Sequence, residues 1–142
     1  MPVLRILLVV VLIAGAGHAI APAGAQEAAT PAVAPADSLS YSNKWRLEVS
    51  EGANNEGVMR FRVTPKGETP IDVEVRLKNG RGEDGCARDI RDAFKSALDK
   101  KLYKIELDDG EDVLVKKRKG DGFAIELVES TVKGTRVHID RE

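Results

Sequence analysis

The chain has 142 residues, with 22 basic against 23 acidic side chains and a single cysteine. That length holds one domain once any non-domain segments are removed. A net charge of −1 exerts no global pull towards nucleic acid or anionic lipid, and one cysteine excludes a domain stapled by internal disulfides.

The first 25 residues have the three parts of an export signal. Arg5 is a short positive region. Residues 6–13 are an unbroken run of Ile, Leu and Val, and small residues then lead to Ala23-Gly24-Ala25. The pattern predicts cleavage after Ala25 and a processed chain beginning at Gln26. A retained anchor would need about 20 predominantly apolar residues, and here the apolar run gives way to Gly, His18 and Pro22. The product is therefore expected in the periplasm, with the extracellular space as the alternative. Residues 26–42 are Ala-, Pro- and Ser-rich, with few large apolar side chains. They cannot bury enough surface to offset their chain entropy and read as a disordered spacer.

Residues 43–142 read as a single α+β domain, and alternation dominates them. Trp45, Leu47 and Val49 alternate with charged residues, as do Met59, Phe61 and Val63, then Ile71, Val73, Val75 and Leu77. The spacing changes over residues 86–98. There Cys86, Ala87, Ile90, Ala93, Phe94, Ala97 and Leu98 form a helical stripe. Asp84 is the expected N-cap, Lys100 and Lys101 suit the negative end of the helix dipole, and Arg88 is expected to pair with Asp92. Alternation then resumes at Tyr103, Ile105 and Leu107, at Val113 and Val115, at Phe123, Ile125 and Leu127, and at Val137 and Ile139. Asp109-Gly110 and Asp121-Gly122 suit tight turns that need positive φ. The predicted architecture is a mostly antiparallel, curved sheet of about seven strands in the order βββαββββ, packed on one amphipathic helix.

Several patterns carry chemistry in other contexts. Residues 80–85, GRGEDG, spell G-x-G-x-x-G between a strand and a helix, with Glu106 and Asp108 some way downstream. Glu83 and Asp84 place negative charge where a pyrophosphate would dock, and no further βαβ unit follows, so a glycine-rich turn is the better account. Cys86 falls on the apolar stripe and reads as a small core residue. An intermolecular disulfide or a reactive thiol at the helix start are its alternatives. Export would remove His18, leaving His138 on a polar strand face, away from Cys86. A Cys-His nucleophilic pair and a zinc site are both disfavoured on that ground. Asp108, Asp109, Glu111 and Asp112 surround Gly110 without the spacing of a calcium loop. No residue set meets the requirements of a catalytic centre, a metal site or a cofactor site. The positive residues Arg60, Arg62, Lys116, Lys117, Arg118 and Lys119 are the candidate binding residues, for an acidic partner or lipid head groups. No aromatic side chains are interleaved with them to stack on nucleic-acid bases.

Two functions are compatible with these features. The first is a non-catalytic interaction module of the cell envelope, an accessory protein or inhibitor with an envelope or secreted protein partner. It would have no nucleic-acid partner and no membrane span after cleavage. The second is a small-ligand carrier or a hydrolase-type enzyme that uses carboxylates in a pocket between sheet and helix.

Overall fold

The computed structural model describes residues 38–142. The expected leader and most of the expected spacer lie outside the described residues. Each alternating segment forms a strand, and the helical stripe forms a helix. In chain order these are β1 (Lys44–Ser50), β2 (Gly57–Pro65), β3 (Ile71–Leu77), α1 (Glu83–Ala97), β4 (Tyr103–Asp108), β5 (Asp112–Lys117), β6 (Phe123–Ser130) and β7 (Arg136–Arg141). The order is the expected βββαββββ. All strand pairs are antiparallel.

The seven strands divide into two sheets, one of four strands in the order β4-β5-β1-β7 and one of three in the order β3-β2-β6. The division has a visible cause at β1. Ser42, just before β1, pairs with Phe123 of β6. One turn of pleat later β1 pairs with β7, from Trp45 opposite Arg141 to Ser50 opposite Arg136. Strand β7 thus occupies the side of β1 that β6 leaves. Ser42 belongs to the expected spacer, so the folded part begins slightly before the expected boundary.

Helix α1 packs on β1, β3, β4 and β5. Its stripe of Cys86, Ala87, Ile90 and Phe94 is fully buried, with Leu98 just beyond at 3% exposure. The strands supply Leu47, Val49, Met59, Phe61, Val63, Val73, Val75, Leu77, Val113, Val115 and Phe123 to the same core. Period-2 burial is clean in β3, whose Val73, Val75 and Leu77 are buried between exposed Asp72, Glu74 and Arg76. Strand β5 departs from it: Asp112, Val113, Leu114 and Val115 are all buried. Leu114 lies opposite Arg46 on one side and Glu106 on the other. Long charged side chains on neighbouring strands can cover an outward leucine with their aliphatic stems.

The helix start differs from expectation. Its N-cap is Gly82, in extended conformation and without a side-chain cap bond, while Asp84 sits inside the first turn. There Asp84 faces the positive end of the helix dipole as a charge. Arg88 pairs back to Asp84 at 3.8 Å, and Asp92 pairs with Arg91 instead. At the first hairpin turn Asp109 and Gly110 both adopt positive φ, 49° and 90°, as expected for an Asp-Gly pair. At the second, positive φ falls on Gly120, at 84°. Gly122 serves close approach: a Cβ there would lie 3.1 Å from the Ser42 backbone nitrogen.

Candidate functional site

The arginines of β2 are neutralised in register. On the outer face of β2, Arg60 bonds Glu129 at 3.0 Å and lies 3.6 Å from Glu74, while Arg62 bonds Asp72 at 2.8 Å. The register places Arg60 opposite Glu74 and Arg62 opposite Asp72. These two arginines lie in the three-stranded sheet, whereas Lys116 and Lys117 lie in the four-stranded one. That run divides in turn. Lys116 pairs with Glu106 of β4 at 3.4 Å. Lys117 reaches Glu68 at 3.3 Å, with a side chain only 5% exposed. Arg118 and Lys119 are exposed and make no side-chain hydrogen bond or ion pair among the described residues.

Arg118 is brought together with cations from other elements. With Lys95, Lys100, Lys104, Tyr103 and Ile105 it lines a surface concavity of about 320 Å³. Lys95 comes from the last turn of α1 and Lys100 from the turn that follows it. That turn is built on Asp99. Its carbonyl accepts the backbone N–H groups of Leu102 and Tyr103, at 3.0 and 2.8 Å. Its carboxylate accepts the Lys101 N–H at 2.8 Å. Arg118 is held beside the turn by its own backbone N–H, which donates to the Leu102 carbonyl at 2.8 Å. Tyr103 and Ile105, 3% and 6% exposed, are the nearly buried members of the lining. Burial, with a smaller contribution from Glu68, raises the Tyr103 phenol above its ordinary value, so it remains a neutral donor. Of the four lining cations Lys104 pairs with Glu106. Lys95, Lys100 and Arg118 have no side-chain partner among the described residues.

The other end of the helix is acidic. The carboxylates of Glu83, Asp84 and Glu111 lie within 4.8 Å of one another. Burial first, then Glu83, Asp84, Asp112 and Asp109, raise the Glu111 carboxyl above the usual carboxylate range. Asp108 and Asp112 are turned away to Arg46, so the four acids read as one cluster in the sequence serve two different groups. The glycine-rich segment before α1 is a packed turn. Gly80 N–H donates to the Ala53 carbonyl, and the Arg81 carbonyl accepts from Ala53 N–H, both at 2.7 Å. The Arg81 guanidinium forms two bonds to Asp89, and its side chain lies where a Cβ on Gly85 would come within 2.8 Å. Cys86 is buried, 3.7 Å from the Thr135 hydroxyl. His138 is exposed on β7, 3.1 Å from Asp140. The interior between α1 and the sheets, where a carboxylate pocket was the second expectation, is filled by Phe61, Ile90 and Phe94. A second concavity, of about 340 Å³, lies outside it, among Glu56, Gly57, Val58, Arg76, Leu77 and Lys78.

Arg46 joins three carboxylates from two elements and the C-terminus: Asp112, Asp108 and Glu142. Lys44 also pairs with Glu142. Hydrogen bonds from Lys44 and Arg46 hold the Glu142 carboxyl below its ordinary 4.5, and Arg62 does the same to Asp72, whose ordinary value is 3.8. A carboxyl depressed in the folded state stabilises the fold above its unfolded pKa, and that contribution is lost as pH falls through the folded value. Glu111 is raised, so its contribution has the opposite sign and grows on acidification. The urea midpoint is therefore expected to be flat near neutrality and to fall below about pH 4. Glu142→Gln should lower the neutral plateau and flatten the acid limb. An unchanged acid limb in that variant would remove Glu142 from the account.

The chain matches no family model, and no curated protein and no solved structure matches it. Among the described residues no helix is long and apolar enough to cross a membrane.

Proposed function

We propose that the chain is an exported, non-catalytic binding module of the cell envelope, acting in the periplasm or outside the cell, that docks an anionic partner on its basic end. The observation that carries this reading is that, among the described residues, Lys95, Lys100 and Arg118 stand unpaired around one concavity, on a surface where Arg60, Arg62, Lys116 and Lys117 are each neutralised. Unpaired cations gathered on one surface attract and orient an anionic partner. An accessory or inhibitory role follows if that partner is itself active.

The test uses the full chain, tagged at its C-terminus and expressed in a bacterial host. The protein is expected outside the cytoplasm, shortened by its leader, and retained by the envelope fraction until the salt concentration is raised. The triple change Lys95→Ser, Lys100→Ser, Arg118→Ser should release it at low salt. Cytoplasmic retention of unprocessed chain would defeat the export reading. Equal retention of the triple variant would defeat the basic end as the working surface.

A further inference from the structure

We infer that the anionic partner at the basic end is a membrane surface, with the phosphate of an anionic phospholipid head group seated in the concavity and Leu102 dipping beside it. This inference rests on the reading of that end as the working surface and names its partner. Four observations point to it.

The concavity measures about 320 Å³. It has room for one head group beside the edge strand β4. Its rim carries point-charge lysines and one arginine, the donors that suit phosphate oxygens approached from several directions. Among the described residues three of these donors pair with no carboxylate. Nearby Asp99 binds the Lys101 backbone, and Glu68 is engaged by Lys117.

The basic surface extends past the concavity in the same loops. Lys101 and Lys119 are exposed in the α1–β4 and β5–β6 turns, next in sequence to Lys100 and Arg118. A cluster of this size is what anionic leaflets attract, at about 1 kcal/mol for each Lys or Arg near the surface.

Leu102 is one of the two large hydrophobic residues left exposed among the described residues, at 41%. It stands between Lys101 and Tyr103 where the turn closes onto β4, and its carbonyl accepts the backbone N–H of Arg118. An acidic protein surface would leave that side chain at a polar rim. The boundary between head groups and acyl chains takes up an apolar side chain flanked by lysines favourably.

The remainder of the surface fits a protein that touches a membrane with one end. The opposite end of α1 carries Glu83 and Asp84, joined by Glu111 of the β4–β5 turn, and an anionic leaflet repels them. Charge therefore orients the domain with the α1 C-terminus towards the bilayer.

The experiment sediments the purified, exported protein with vesicles of phosphatidylglycerol and, separately, of phosphatidylcholine. Binding is expected to the first and not to the second. Loss of Lys95, Lys100 and Arg118 together should weaken it on the order of a hundredfold, at about fivefold per cation. Any contribution of a retained leader is common to wild type and variant. Arg60→Ser with Arg62→Ser, on β2 of the other sheet, should leave binding unchanged and so controls for charge alone. Leu102→Trp supplies a local reporter. Its emission should shift to the blue on phosphatidylglycerol vesicles and be quenched by brominated acyl chains. Circular dichroism of each variant establishes that these exposed changes leave the fold intact. Failure to bind phosphatidylglycerol overturns the inference, as does binding that survives the triple change or an indole that stays in water. If the protein is nevertheless held by the envelope in a salt-sensitive way through the same three cations, the basic end docks an acidic protein. The reading of function then stands without this inference.

Discussion

Phe94→Ala is expected to lower the free energy of unfolding by about 3–5 kcal/mol. Phe94 is fully buried on the apolar stripe of α1. Its ring meets Phe61 of β2 edge to face, with centroids 5.4 Å apart and planes at 65°. It therefore joins the helix to the central strand of the three-stranded sheet. Most of the cost is apolar transfer plus the cavity left behind, because an interior packed this closely collapses only in part. A small domain has about 5–15 kcal/mol in total, so this one change removes a large share. Urea denaturation followed by the emission of Trp45 reads the result as a lower midpoint with an unchanged slope. Phe61→Ala should cost a similar amount. The double variant should fall short of the sum by about 0.5–1.5 kcal/mol, the coupling of an edge-to-face pair. A loss below about 1 kcal/mol for Phe94→Ala would mean that α1 is not seated on the sheets as described.

The same aromatic contact shows why the elements were legible in the sequence and their assembly was not. Phe61 and Phe94 announce themselves locally, one by alternation with Arg60 and Arg62, the other by a spacing of four from both Ile90 and Leu98. Periodicity says that each faces a core, but not which faces meet. The division into two sheets depends on where β1 changes neighbour, from Phe123 beside Ser42 to Arg141 beside Trp45. That is a choice between non-local partners of equal apolar quality. Leu114 was hidden for a related reason. Its outward position in β5 reads as solvent-facing, yet it is 6% exposed between Arg46 and Glu106.

The basic end was half visible. Arg118 stood out within a run of four cations, but Lys116 and Lys117 in that run are spoken for by Glu106 and Glu68. Lys100 was legible only as a complement to the helix dipole, and nothing in the sequence marks Lys95 or Lys104. What unites them is the Asp99 turn, which brings the end of α1 against the start of β4, and the bond from Arg118 N–H to Leu102. Contiguity in sequence is a poor guide to a patch assembled from three elements. Exposed Leu102 at the end of the helix was the one local signal that could have marked the place.

Trp45→Ala is expected to be as damaging as the loss of Phe94, at about 3–5 kcal/mol, and for a reason that involves both sheets. Trp45 lies in β1 of the four-stranded sheet, 5% exposed. Its indole N–H donates to the Phe123 carbonyl of β6 at 2.7 Å. The same carbonyl accepts the Ser42 N–H at 3.0 Å, and the Phe123 N–H returns a bond to the Ser42 carbonyl at 2.9 Å. Both lone pairs of one oxygen are thus used where the two sheets meet. The Phe123 ring in turn packs edge to face on Tyr103 of β4, with centroids 5.4 Å apart. Trp45→Phe separates the two contributions. It keeps most of the apolar body, and the Phe123 carbonyl still has Ser42, so it is not left unsatisfied. Its loss should be close to the net value of one hydrogen bond plus a small cavity, about 1–2 kcal/mol. Trp45 is the only tryptophan in the chain, so far-UV circular dichroism must follow the unfolding of both variants. If Trp45→Phe costs as much as Trp45→Ala, the indole N–H is what holds the sheets together at this point. If Trp45→Ala costs no more than Trp45→Phe is expected to, the sheets are joined through α1 and their common core, and the bridge at Ser42 only trims their edge.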